Sequence, residues 1–512
     1  MLHSTPTSPD SIRHFDPTRI VARLLLGLLL AAGVVGAGCA SSGSSGPGAS
    51  AANGPAGIGA DVAIDDIDAD WIRANYVKDE YRVPMRDGVR LHTTVYRPRG
   101  DAGPWPMLMI RTPYSCRPYG ERNYPNRLGL NNAYAPGGWI FVQQDVRGKY
   151  MSEGEFVNMR PHEPDKSQPY VVDESTDTYD TIEWLLANVE GHNGRVGMWG
   201  ISYPGFYAAA GMIDAHPALR AVSPQAPIAD WWQDDFKHNG AFFMPHAFHF
   251  LSSFGQPRSG PTTEGGRRNF EYGTPDGYDW YLNEMGTTKA LDDKILKGSI
   301  DFWNSLIAHP DRDEFWARRD LVPHLNAVAP AVLTVGGWFD AEDLYGPLSI
   351  YQSVEARNPD VDNRLIMGPW VHGGWHRTPG NALGSVHFGE PTSPGYLADI
   401  EMPFFEHHLK DGPDPKLAEA TVFDTGSQEW RRFNAWPPAG LVPRSLHLRA
   451  GGRLAWAAPL PGDAPDTSFV SDPASPVPFT EDTSVRMTRE YMVDDQRFAG
   501  RRPDVLTFRT EP

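Results

Sequence analysis

Ser202 stands in the run Gly200-Ile201-Ser202-Tyr203-Pro204-Gly205. A serine hydroxyl becomes a nucleophile when a neighbouring base takes its proton. Glycines on either side permit the sharp backbone turn that exposes such a serine. Pro204 suits the first turn of a following helix, where a missing N–H has no helical partner to lose. The N-terminus of that helix would set free N–H groups and a positive dipole end beside a developing oxyanion. The Tyr203 N–H is the expected donor. The frequent G-x-S-x-G pattern is altered here, because Pro204 holds the place of its second glycine and Gly205 follows.

Such a serine needs a base, and the base needs an orienting acid. His372 comes two residues after an apolar run, and Asp340 ends a Gly-rich one. The order serine, acid, histidine along the chain is that of nucleophile-elbow hydrolases. His372 would take the serine proton, and Asp340 would hold the imidazole tautomer. His376 lies four residues after His372, a metal-like spacing on a helix. Gly373-Gly374 argues against a helix there, so His376 reads as structural or pocket-lining. Two competing classes remain. One is a metal-dependent hydrolase using His372, His376, Asp340 and Glu342. The other is a surface-binding lipoprotein that keeps the fold without the chemistry.

These residues need a scaffold that brings them to one edge. Short β-like runs cover Val89-Tyr96, Trp105-Arg111, Trp139-Asp145, Arg195-Gly200, Ala331-Val335 and Arg364-Trp370. Between them, Asp177-Ala187 reads as an amphipathic helix, and the Ala-rich stretch Gly205-Ile213 as a helix able to pack close to a sheet. Strands alternating with helices predict a mostly parallel sheet covered on both faces, an α/β-hydrolase fold. From Pro227 to about Pro323 the strand signal gives way to aromatics, Asp and His, which predicts an inserted helical cap. After Trp436, Leu446-Arg449, Ser468-Val470 and Val505-Phe508 predict part of a β-sandwich. The expected layout is therefore a hydrolase domain over 70–226 and 324–435, a cap over 227–323, and an incomplete β domain over 436–512.

The chain has 512 residues and a formal charge of -18, and an acidic surface disfavours nucleic acid. That charge suits a cationic or zwitterionic substrate, although acidity also serves solubility alone. Sixteen Trp suggest large aromatic burials or an aromatic pocket. Arg13, Arg19 and Arg23 precede the apolar run Leu24-Gly38, which ends in small residues before Cys39. That is the pattern of an export signal over residues 1–39. Gly36-Ala37-Gly38-Cys39 is also similar to a bacterial lipobox, in which Cys39 would be lipidated. A Ser/Gly/Ala/Pro tether follows over 40–69. The expected location is the periplasm or the membrane, with attachment through Cys39. Cys116 is the remaining cysteine, and a bridge to a processed Cys39 is not expected. No cofactor is called for, and the sequence leaves a homo-oligomer open.

Several runs carry a resemblance. They are Arg111-Thr112-Pro113-Tyr114, Asp145-Val146-Arg147-Gly148 with Ser152-Glu153-Gly154, Gly197-Met198-Trp199-Gly200-Ile201-Ser202-Tyr203, His216-Pro217-Ala218-Leu219, Gly337-Trp338-Phe339-Asp340 and Gly368-Pro369-Trp370-Val371-His372. On these the chain resembles the cocaine esterase-like and X-Pro dipeptidyl-peptidase-like serine hydrolases, and among them the α-amino acid ester hydrolases and glutaryl acylases. The resemblance implies a helical cap and a C-terminal jelly roll, of which this chain would carry only part. It implies that the Tyr114 hydroxyl joins the Tyr203 N–H in an oxyanion hole. It further implies that Glu342 and Asp343, with Asp235 (or Asp234 beside it), hold a substrate ammonium. The implied activity is hydrolysis or transfer of acyl groups bearing a free α-amine, from esters, β-lactam amides or short peptides. An X-Pro dipeptidyl-peptidase and a general carboxylesterase or acylase are the alternatives.

Overall fold

The computed structural model describes residues 63–100, 102–168, 170–264, 270–462 and 466–511. The expected export signal, Cys39 and most of the expected tether lie outside these residues.

The architecture rests on one ten-stranded sheet. Its strands are β1 (Tyr76–Pro84), β2 (Arg90–Pro98), β3 (Trp105–Thr112), β4 (Ile140–Asp145), β5 (His192–Ile201), β6 (Leu219–Gln225), β7 (Ala331–Gly337), β8 (Asn363–Gly368), β9 (Ala420–Asp424) and β10 (Glu429–Phe433). Their spatial order is β1-β2-β4-β3-β5-β6-β7-β8-β9-β10. The run from β4 to β9 is parallel. Antiparallel pairs close both ends: β1 on β2, β2 on β4, and β10 on β9. The expected α/β-hydrolase sheet is present.

Alternation along the strands fills two cores. On β3, Met107 and Met109 enter one core and Leu108 enters the other. The first core takes helices α1 (Glu174–Asn188) and α2 (Tyr203–Gly211). Asp173 starts α1 with a reciprocal capping box to Thr176. In α2 all nine residues are buried, and the Ala-rich face lets it lie close to the sheet. The cap contributes α3 (Met244–Phe254) and α4 (Asp301–Ala308). Its aromatics, among them Trp231, Phe248, Trp303 and Trp316, belong to the same first core. The cap is therefore welded to the sheet rather than hinged upon it. Residues of α5 (Tyr345–Arg357) also pack there, whereas Phe404, Phe405 and Leu409 of α6 (Met402–Lys410) fill the second core.

The expected β-sandwich is not formed among the described residues after Trp436. That stretch holds one hairpin, His447–Arg449 with Arg453–Ala455, and a single bridge from Arg453 to Arg509. Ser468-Val470 and Val505-Phe508 are not strands. Strand-like runs need a ladder partner and a face to bury, yet Phe469 and Val470 are 56% and 78% exposed. The segment instead returns to the cap. The Tyr278 hydroxyl donates to the Pro476 carbonyl at 2.8 Å, and a Cβ added at Gly277 would meet the Ser484 carbonyl oxygen at 2.3 Å.

Candidate active site

Ser202 lies between β5 and α2 with φ +70° and ψ −130°. Such a conformation costs a non-glycine residue about 1–3 kcal/mol, and only a well-determined surrounding holds it. The surrounding is visible. The Ser202 N–H donates to the Gln225 carbonyl at 2.9 Å. A Cβ at Gly200 would lie 2.2 Å from the carbonyl atoms of Pro204, and one at Gly205 would lie 2.6 Å from the Gln225 oxygen. Both glycines are there because the backbone folds back on itself. Tyr203 is the first residue of α2, so its N–H has no acceptor within the helix. The Tyr203 ring is buried, and its hydroxyl accepts from the Met159 N–H at 2.8 Å.

Strands β5, β6, β7 and β8 are consecutive parallel neighbours, so the loops leaving them meet at one edge. Ser202 follows β5, Asp340 follows β7, and His372 follows β8. The His372 Nδ1–H donates to both oxygens of Asp340, at 2.9 and 3.1 Å. Asp340 also accepts from the N–H groups of Glu342 and Asp343, each at 2.9 Å. Burial works to raise the Asp340 pKa, but the His372 charge and these hydrogen bonds outweigh it and hold the carboxyl low. Burial works to lower the His372 pKa, but the charges of Asp340 and Glu342 outweigh it and hold the imidazole up at about 9.

Ser202 and His372 line one cavity of about 760 Å³, together with Tyr114, Asp235, His246 and Glu342. Within it the imidazole Nε2 faces Glu342, whose Oε2 is 3.6 Å away. The Ser202 hydroxyl makes no hydrogen bond among the described residues. Glu342 therefore competes with the serine for the base in this state.

The carboxylates divide into two groups. Asp235 and Glu342 are on the cavity wall. Asp343 is not: it is fully buried, with one oxygen 3.8 Å from His372 Nδ1 and neither oxygen hydrogen-bonded. Asp343 thus departs from the expected direct contact with a ligand. Burial, then the charges of Asp235, Asp234, Asp340 and Glu342, push its pKa well up. Asp234 is also fully buried and accepts from the N–H groups of Ala229 (2.9 Å) and Gly346 (3.0 Å), a structural role. Asp235 is the member of the pair that faces the cavity.

His246 of α3 was not evident as a site residue. Its Nε2 is 3.3 Å from Asp235 Oδ1, while Trp231 Nε1–H donates to the other oxygen at 2.8 Å. Burial works to lower the His246 pKa, but the Asp235 hydrogen bond and the Glu342 charge raise it. Asp235, His246 and Glu342 each offer a donor atom within 4.8 Å of the others, a cradle for one cation. The four residues of the metal alternative do not gather in this way. Gly374–Arg377 does form one helical turn, yet His376 turns its Nε2 to Glu401 at 3.1 Å.

The resemblance runs place the loop that carries Tyr114. Asp145 accepts from the Cys116 N–H (2.8 Å), the Tyr119 hydroxyl (2.8 Å) and the Met151 N–H (3.1 Å). Buried Arg111 ties the end of β3 to Glu174 of α1 at 3.0 Å.

A family model described as X-Pro dipeptidyl-peptidase (S15 family) matches residues 87–374. Cocaine esterase of a Rhodococcus species is 28% identical over 457 residues, covering 85% of this chain and 74% of the esterase. A putative serine esterase of Mycobacterium tuberculosis is 24% identical over 443 residues, covering 76% of this chain and 65% of that protein. Among solved structures, an α-amino acid ester hydrolase superposes with a TM-score of 0.76 at 33% identity, over 88% of this chain and 74% of that one. An aminopeptidase from a marine sediment Thaumarchaeota archaeon gives a TM-score of 0.75 at 33% identity, over 86% of this chain and 72% of that one.

Proposed function

The chain belongs to the X-Pro dipeptidyl-peptidase (S15) family of serine hydrolases, and within it we propose that this enzyme cleaves or transfers acyl groups that carry a free α-amine. One observation carries the reading. Asp235 and Glu342 converge with His246 on the wall of the cavity that also holds Ser202 and His372. Carboxylates in a partly desolvated pocket attract an ammonium far more strongly than they would in water.

On this reading the reaction runs as follows. Ser202 Oγ attacks the acyl carbon while His372 Nε2 takes the hydroxyl proton. The Tyr203 N–H and the Tyr114 hydroxyl receive the oxyanion. Collapse breaks the bond to the alcohol or amine, and His372 protonates that leaving group. The acyl-Ser202 ester is then opened by water, or by an acceptor amine in transfer. The ammonium has a second task here. By drawing the Glu342 charge to itself, it frees Nε2 to meet the serine.

The test pairs each amino acid ester with its N-acetyl counterpart, in the wild type and in Ser202→Ala. The free amine should raise kcat/KM about a hundredfold, since a charge-assisted contact contributes ~1.5–3 kcal/mol and two carboxylates share it. Equal kcat/KM for both members of each pair would remove the ammonium reading. A serine-directed phosphonate should label Ser202, and chelators should leave the rate unchanged.

We also infer export with lipid attachment at Cys39, supported by the Arg-flanked apolar run and the small residues before that cysteine. Cys39→Ser should abolish incorporation of labelled palmitate and release the enzyme from membranes. Incorporation that persists in the variant would count against it.

A further inference from the structure

The cavity wall has a second chemistry that the triad and the ammonium cradle do not use. Arg127, Arg377, Arg486 and Arg489 all line it. None of their guanidinium groups makes an ion pair or hydrogen bond among the described residues. In a chain of formal charge -18, four unpaired arginines converging on one cavity call for an anion. Two carboxylates act on this wall: Glu490, whose Oε2 accepts from the Arg489 N–H at 3.1 Å, and Glu342, whose charge reaches Arg377.

Arg377 has the most telling position. It closes the single helical turn that follows His372. A Cβ added at Gly373 would meet Arg377 Cζ at 3.2 Å and Ile201 Cγ2 at 3.3 Å. Gly373 follows the base directly, and Ile201 directly precedes the nucleophile. The leaving group must also lie on this side, because His372 has to reach it with a proton. The acyl half is already assigned to the carboxylates of Asp235 and Glu342, so an anion held by these arginines falls to the departing half of the substrate. A planar guanidinium is suited to bidentate capture of a carboxylate.

We propose that the preferred leaving group carries an α-carboxylate, held by Arg377 with Arg127 and Arg489, so that the substrate is a short peptide with both termini free. The inference rests on the ammonium reading above for the other end of the substrate. It selects a peptide over a simple ester.

Matched dipeptides test it: the free acid against the C-terminal amide, each with a free or acetylated amine, and an acyl-β-lactam as a separate arm. The acid should exceed the amide in kcat/KM by roughly ten- to hundredfold, as expected for a charge-assisted pair. Arg377→Gln should collapse that ratio, whereas Arg195→Gln, at an exposed pair with Asp411, should keep it. The ratio is independent of the folded fraction of any variant. If neither dipeptide is cleaved, the peptide assignment is overturned, and inhibition of a chromogenic amino acid ester by acid against amide then tests the arginine contact alone, the acid being expected to bind more tightly by the same factor. Equal values for acid and amide, a preference for the amide, or a ratio untouched by Arg377→Gln would overturn the proposal. Preference for the β-lactam over every dipeptide acid would overturn the peptide assignment. The acetylated pairs report on the amine end alone, so failure there is distinguishable from failure here.

Discussion

Replacing Glu342 by Gln keeps the shape of the cavity wall and removes the charge facing the base. His372 is held at about 9 in the resting site, partly by that charge. At 3.6 Å, a charge pair in an effective dielectric of about 20 is worth roughly 4–5 kcal/mol. Each ~1.4 kcal/mol moves a pKa by one unit. Glu342 borders the cavity solvent, which weakens the pair, so a fall of about one to two units in the His372 pKa is the expected result. The sign follows from the role of the base. Only neutral imidazole accepts the serine proton, so the rate rises as pH climbs through the His372 pKa. Losing the carboxylate makes that proton easier to shed and moves the limb to lower pH. The assay is the pH profile of kcat/KM on a neutral ester without an amine, because this quantity reports the free enzyme. The wild type should rise through about pH 9, and Glu342→Gln should rise earlier. Near neutral pH the variant should then be the faster enzyme on the amine-free ester and the slower one on amine-bearing esters. An unmoved or upward-shifted limb would refute the claim that Glu342 restrains the base.

Asp340→Asn should lower kcat by about 10⁴, because the amide stabilises the wrong imidazole tautomer; stopped assays on an ester at fixed pH measure it. Asp235→Asn should raise KM for amine-bearing esters about tenfold or more with a smaller change in kcat, and leave N-acetyl esters near the wild-type values. Ser202→Gly should abolish turnover yet exceed Ser202→Ala in stability by about 1–3 kcal/mol, since glycine accepts the positive φ without strain; denaturant unfolding of the two variants compares them directly. Gly200→Ala should yield little folded protein, because its methyl group would sit 2.2 Å from the Pro204 carbonyl atoms.

The three candidate triad positions are legible in the sequence because each follows a strand whose pattern is readable. A run such as Ala331-Val335 fixes where Asp340 emerges, and neighbouring parallel strands do the rest. The start of β1 is harder to see, since Lys78, Asp79, Glu80 and Arg82 mask an edge strand that carries ion pairs such as Arg97 with Asp79 at 2.9 Å. His246 shows no signal at all: its value depends on a helix packing over Asp235, which no local spacing encodes. The arginine wall is equally silent, because Arg127, Arg377 and Arg489 are far apart in sequence and exposed, so they resemble ordinary solvated residues. Asp343 invites a direct role by adjacency to Glu342, yet successive residues in a tight loop point apart, and burial takes it behind the base. The C-terminal runs mislead for the opposite reason, since β propensity at Ser468-Val470 is not matched by any pairing partner there.

Asp343 has a further consequence. Burial, with the charges of Asp235, Asp234, Asp340 and Glu342 acting in the same direction, favours the protonated form of this carboxyl. An amine bound between Asp235 and Glu342, as proposed, would oppose the part of that push that comes from their charges. On that proposal, binding of the amine and release of the Asp343 proton favour one another, and the affinity for the amine should rise with pH.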